Sequence, residues 1–113
     1  HMHLIRLGGS ALNQTPLDWD GNRDRIVAAI TAAREAGVAV LCLPELCVTG
    51  YGCEDAFLAT GVPRMAWRML EEIMPHTAGI AVAVGLPVRF ESGLYDAVAF
   101  VVNCRVAGIV CKQ

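Results

Sequence analysis

Apolar residues in this chain fall in short runs punctuated by glycine, proline and polar segments. Residues 4–12, Leu-Ile-Arg-Leu-Gly-Gly-Ser-Ala-Leu, read as a first strand whose glycines permit close approach of another backbone. Asn13-Gln14-Thr15-Pro16 breaks that run, and residues 18–22 supply capping candidates for a helix. Ile26, Ala29, Ile30 and Ala33 recur at i, i+3, i+4 and i+7, one apolar helical face, and Gly37 is placed to end that helix. Residues 38–43 are apolar without alternation, the pattern of a central strand covered on both faces, and Pro44 stops it because it cannot donate to a ladder. Residues 49–61 are loop-like. A second helix is predicted over 63–74, with Pro63 at its start, Pro75 past its end, and Ala66, Trp67, Leu70 and Met74 as its apolar face. Residues 79–86 read as a buried strand and Glu91-Ser92-Gly93 as a turn. Residues 95–102 and 106–111 form a strand pair joined by Asn103-Cys104-Arg105. The predicted order, β-α-β-α-β-β-β, is that of a layered α/β domain.

Composition narrows the class. The chain has 113 residues, enough for one core, and its 55% hydrophobic and 18% charged content excludes disorder. A net charge of −2 gives no electrostatic case for nucleic acid or an anionic membrane as a partner. The mean hydropathy of +0.47 raises the question of a membrane span. Charged residues from Arg6 to Arg64 interrupt the early apolar stretches, however, and the longest clean run, 79–88, is too short to cross a bilayer. Sheet burial is the better account. His1-Met2 reads as an expression-vector scar. The five cysteines are odd in number and lack a repeating spacing, which predicts reduced thiols in a cytoplasmic protein. Cys42 and Cys111, inside apolar runs, are expected to be small core residues, whereas Cys47 and Cys53 are expected to be accessible, without the short paired spacing of zinc sites.

Two residues stand where chemistry is expected. Glu45 follows a buried strand, at the sheet edge where α/β proteins bind ligands, and apolar neighbours there would lift a carboxylate toward the range of a general base. A loop carboxylate that caps backbone or pairs with an arginine would look the same. Lys112 ends the last apolar run. A lysine at such a strand mouth either reaches solvent or meets a carboxylate, and in the second case its ammonium can stabilise a developing oxyanion.

Leu43-Pro44-Glu45-Leu46 followed by Thr49-Gly50-Tyr51 resembles the glutamate motif of the nitrilase, or carbon-nitrogen hydrolase, superfamily. The longer string LCLPELCVTGYGCEDAF, the opening ALNQTPLDWDGN, Gly85-Leu86-Pro87 with Leu94-Tyr95, and the closing Cys111-Lys112-Gln113 resemble, in order, the glutaminase domain of glutamine-dependent NAD+ synthetases. The resemblance covers nearly the whole chain. It implies an α-β-β-α sandwich of which this chain is the N-terminal portion, truncated after the lysine motif, and a Glu-Lys-Cys triad. Glu45 would be the general base and Lys112 the residue that stabilises the tetrahedral intermediate. The nucleophilic cysteine would lie after the lysine motif, and none of the five cysteines matches its position. Tyr51, with Glu54 and Asp55 close behind, would line the substrate site, where the tyrosine can equally serve as a loop anchor.

The implied reaction releases ammonia from glutamine to amidate nicotinic acid adenine dinucleotide. No cofactor is expected in this chain, since ATP and Mg2+ would belong to a separate synthetase domain. The chain alone is expected to be inactive. It is also expected to form a homo-oligomer, because its last strand would leave an edge and an apolar face without the strands that complete the sandwich. The alternatives are another amidase of the superfamily, or a non-catalytic scaffold or oligomerisation unit. One position departs from the family pattern: Asp96 stands where asparagine is usual, and an ionised aspartate accepts hydrogen bonds but cannot donate them.

Overall fold

The structure, a computed structural model, describes residues 6–10, 12, 14–44, 47–50 and 61–112. Glu45, Tyr51, Cys53, Glu54 and Asp55 lie outside them. The elements are β1 (Leu7–Gly9), α1 (Trp19–Glu35), β2 (Val40–Cys42), α2 (Gly61–Ile73) with a 3-10 turn at Met74–Thr77, β3 (Ala81–Phe90), β4 (Gly93–Val102) and β5 (Arg105–Lys112). They form one mixed sheet in the order β1-β2-β3-β4-β5, with β1, β2 and β3 parallel and β3, β4 and β5 antiparallel. This is the expected α/β order, although the first strand is shorter than the apolar run that predicts it.

Local chemistry accounts for the boundaries. Asp18 caps α1 by accepting from the Gly21 N–H at 3.2 Å. Gly37, at φ +76, supplies the left-handed residue that closes the helix, as its position predicts. The β4–β5 turn places both Asn103 (φ 48) and Cys104 (φ 72) in the left-handed region required by the tightest hairpins. Three bonds hold it there: Asn103 Oδ1 accepts from the Gly79 N–H at 3.1 Å, the Cys104 N–H donates to Thr77 Oγ1 at 2.8 Å, and the Asn103 N–H donates to the Ile80 carbonyl at 3.3 Å.

The core lies between the two helices and one face of the sheet. Ile26, Ile30 and Ala33 of α1 and Ala66, Met69, Leu70 and Ile73 of α2 meet Leu41, Val82, Val84, Leu86, Ala99 and Val101. The face of α2 is therefore rotated from the predicted one. Trp67 is 38% exposed and Met74 only half-buried, because Val62, Ala66, Leu70 and Ile73 form the stripe that meets β3.

The two-sided burial expected of the apolar strands holds only in the middle of β3, where Val84, Gly85, Leu86 and Pro87 are all buried; it fails in β2. In β2, Leu41 is buried on the helical side while Cys42 is exposed. Registered rows place Leu7, Val40, Ala81 and Val102 on the opposite face, followed by Cys42, Ala83 and Phe100, and then by Gly85, Val98 and Val110. That face is apolar, and Leu7, Phe100, Val102 and Val110 on it are exposed. Cys111 is also exposed, at the β5 edge beyond the reach of the helices, so the core reading of Cys42 and Cys111 is corrected.

Candidate functional site

The strand directions bring the carboxyl ends of β1, β2, β3 and β5 to one end of the sheet. Leu43, just past β2, donates its N–H to the Ala83 carbonyl at 3.0 Å, and Val48 donates to the Gly85 carbonyl at 3.2 Å. Both flanks of Glu45 are thus stitched to β3. Lys112 is the last residue of β5 and stands in register with Asp96, which is itself in register with Pro87. Lys112 and the flanks of Glu45 therefore share an end of the sheet. Because β2 and β5 are three places apart, their axes are separated by about 14 Å.

The loop after Glu45 is built as core. Cys47, Val48 and Thr49 are buried. Gly50 has φ +80, and a Cβ there would lie 2.9 Å from the backbone of Thr15 and Pro16, so this close crossing requires glycine. Cys47 reverses the expectation of accessibility. Its Sγ lies 3.6 Å from the Gly85 carbonyl, and burial pushes the thiol up to about 12. At neutral pH it stays protonated, which suits a packing residue and not a nucleophile or metal ligand.

From the sequence, Asn22 is expected only within a capping stretch. The structure buries it completely, on the same stripe as Ile26, Ile30 and Ala33. A polar residue four positions ahead of an apolar face was the available signal, since a buried amide must spend its hydrogen bonds on something.

Asp96 sits in the row between Pro87 and Lys112, half-buried. Its Oδ1 is sealed from solvent without a hydrogen-bond partner, and burial raises its pKa above the ordinary 3.8. The folded state then holds the proton more tightly than the unfolded state, so stability declines as pH rises from that ordinary value through the raised one. Asp96→Asn is expected to stabilise the protein at pH 7 by on the order of 1 kcal/mol, with the gain fading below pH 4. Thermal melts of both proteins across that range check it; an equal gain at every pH would show that the charge is not the cause.

The family model for carbon-nitrogen hydrolase matches residues 6–103. A glutamine-dependent NAD(+) synthetase of Oryza sativa subsp. indica is 39% identical over 96% of this chain, which spans 15% of that protein. The crystal structure of a glutamine-dependent NAD(+) synthetase from Cytophaga hutchinsonii superposes with a TM-score of 0.93 at 48% identity, covering 96% of this chain and 19% of that one. An amidase from Nesterenkonia sp. shares the fold, with a TM-score of 0.78 at 22% identity over 96% of this chain and 42% of its own. Among the described residues, no helix is long and apolar enough to cross a membrane.

Proposed function

Because this chain belongs to the carbon-nitrogen hydrolase family, we propose that it forms part of a glutamine amidohydrolase unit whose ammonia serves the amidation of nicotinic acid adenine dinucleotide to NAD+. The carrying observation is the 48% identity, over nearly the whole chain, to a solved glutamine-dependent NAD(+) synthetase. The amidase likeness, at 22% identity, supports the fold alone.

In this reading Glu45 takes the proton from a cysteine thiol supplied by a later part of the unit. The thiolate attacks the glutamine side-chain carbonyl carbon, and the Lys112 ammonium stabilises the oxyanion that forms. Collapse breaks the C–N bond, and the nitrogen leaves as ammonia with the proton that Glu45 returns. Water then hydrolyses the thioester to glutamate. Tyr51, one residue past the constrained Gly50, is assigned to substrate contact. ATP and Mg2+ act in the separate synthetase domain.

The apolar outer face of the sheet supports the remaining assignments: residues 3–113 as the N-terminal portion of an α-β-β-α sandwich, and self-association of the chain when no second sheet covers that face. The site of action is assigned to the cytoplasm. The test is made on the full-length protein. It is expected to release glutamate from glutamine and to amidate nicotinic acid adenine dinucleotide with ATP, using either glutamine or free ammonia. Failure to hydrolyse glutamine, with hydrolysis of simple aliphatic amides instead, would favour the amidase.

A further inference from the structure

The chain that leaves Glu45 is held by a buried polar cluster that helix capping does not explain. Asn22 Nδ2 donates to the Val48 carbonyl at 3.1 Å and to the Thr15 carbonyl at 2.8 Å. Its Oδ1 accepts from the Thr15 N–H at 3.0 Å and from Arg25 Nη2 at 2.7 Å. All four hydrogen-bonding capacities of this amide are used. Gln14 works beside it: Nε2 donates to the Cys47 carbonyl at 2.6 Å and to the Asn22 carbonyl at 3.1 Å, while Oε1 accepts from Arg25 Nε at 2.7 Å. Arg25 thus braces both amides. The cap of α1 is made by Asp18, so the side-chain bonds of Asn22 serve the loops and not its own helix.

Two consecutive carbonyls, those of Cys47 and Val48, are therefore gripped by two side-chain amides. The Val48 N–H is bonded in turn to β3, and the Leu17 N–H, from the segment that Asn22 also holds, donates to the Thr49 carbonyl at 2.7 Å. A reacting base must be held to within a fraction of an ångström, and a misplacement of about 1 Å costs about 10²-fold in rate. We infer that Asn22, seconded by Gln14, is a positioning residue for Glu45, acting through the carbonyls of Cys47 and Val48; this rests on the proposed role of Glu45 as general base. The requirement is for an amide. A carboxylate at position 22 would face the two carbonyl oxygens of Thr15 and Val48 with no hydrogen to offer, and an apolar side chain would leave buried backbone groups unpaired.

The experiment uses the full-length protein, glutamine as substrate and free ammonia as control. Asn22→Asp is expected to lower kcat for glutamine hydrolysis by about 10²-fold, with KM within about threefold of its starting value and ammonia-fed amidation unchanged. Gln14→Ala, which removes the more exposed half of the grip, is expected to lower kcat about tenfold and serves if Asn22→Asp does not fold. A purely architectural role would instead lower the glutamine- and ammonia-fed rates together, or lower the melting temperature without changing kcat; either result overturns the inference. Full glutamine hydrolysis by Glu45→Gln would remove both the base assignment and this inference. An inactive Glu45→Gln beside a fully active, folded Asn22→Asp would remove this inference alone.

Discussion

Glutamine hydrolysis by the full-length protein is expected to fall by about 10³-fold when Glu45 is replaced by glutamine, and by about 10²- to 10³-fold when Lys112 is replaced by methionine. Glutamine keeps the size and hydrogen-bonding reach of glutamate but cannot take a proton from a thiol, so the nucleophile forms only at its unassisted rate. Methionine keeps most of the lysine stem and removes the ammonium, which isolates the electrostatic contribution from packing. Both residues are assigned to one half-reaction, so amidation fed by free ammonia should proceed at its original rate in either variant. That control separates chemistry from folding. Measured glutamate release above about a tenth of the original in either folded variant would sink the role assigned to that residue. The placement of Lys112 at the end of β5, with the flanks of Glu45 at the same end of the sheet, is the geometric support for testing the two together.

What the sequence made legible was what local rules determine. The face of α1 follows from the spacing of Ile26, Ile30 and Ala33, its end from Gly37, and the strand order from the alternation of apolar runs with helical segments. The errors share a different cause. Cys42 and Cys111 sit in runs as apolar as the core strands, and the run itself does not report which face a neighbouring layer covers. Trp67 is large and apolar, yet the packing stripe of α2 passes through Met69 and Leu70, because contact with β3 fixes the rotation of the helix. Cys47 reads as a loop residue, but the loop is folded inward by bonds from positions 14 and 22, more than twenty residues away. Of the site, Lys112 and Glu45 are legible from position and motif. The one local sign of the Asn22 cluster is a polar residue on the stripe of Ile26, Ile30 and Ala33; its partners, backbone groups of residues 15 and 48 and the Arg25 side chain, are set by the tertiary fold. Tyr51 and Glu45 themselves lie outside the described residues, and their assignments rest on the motif and on their flanks.

The 113-residue chain by itself is expected to sediment as a dimer or larger species at tens of micromolar. The helices cover one face of the sheet, and the other presents rows built from Leu7, Val40, Cys42, Ala83, Val98, Phe100, Val102 and Val110. Phe100 is 43% and Val110 55% exposed, on adjoining strands, so these are neighbouring parts of one surface and not scattered apolar residues. Monomeric proteins seldom leave more than a few hundred Å² of contiguous apolar surface in water. At about 25 cal/mol per Å², burying about 400 Å² yields on the order of 10 kcal/mol before the entropy of association is subtracted. That surplus is large enough to drive pairing of two such faces. Edge strand β5 offers a second route, through ladder hydrogen bonds to another copy, but burying the face relieves the larger exposure. The two routes separate by mutation. Phe100→Lys combined with Val110→Lys places two charges on the apolar face without removing any residue of the helical-side core, and is expected to shift the chain to monomer with little change in melting temperature. Association that survives both substitutions would point to the edge. A single, cooperatively unfolding monomer for the unsubstituted chain at the same concentration would defeat the prediction, because the face would then be stable in water as it stands.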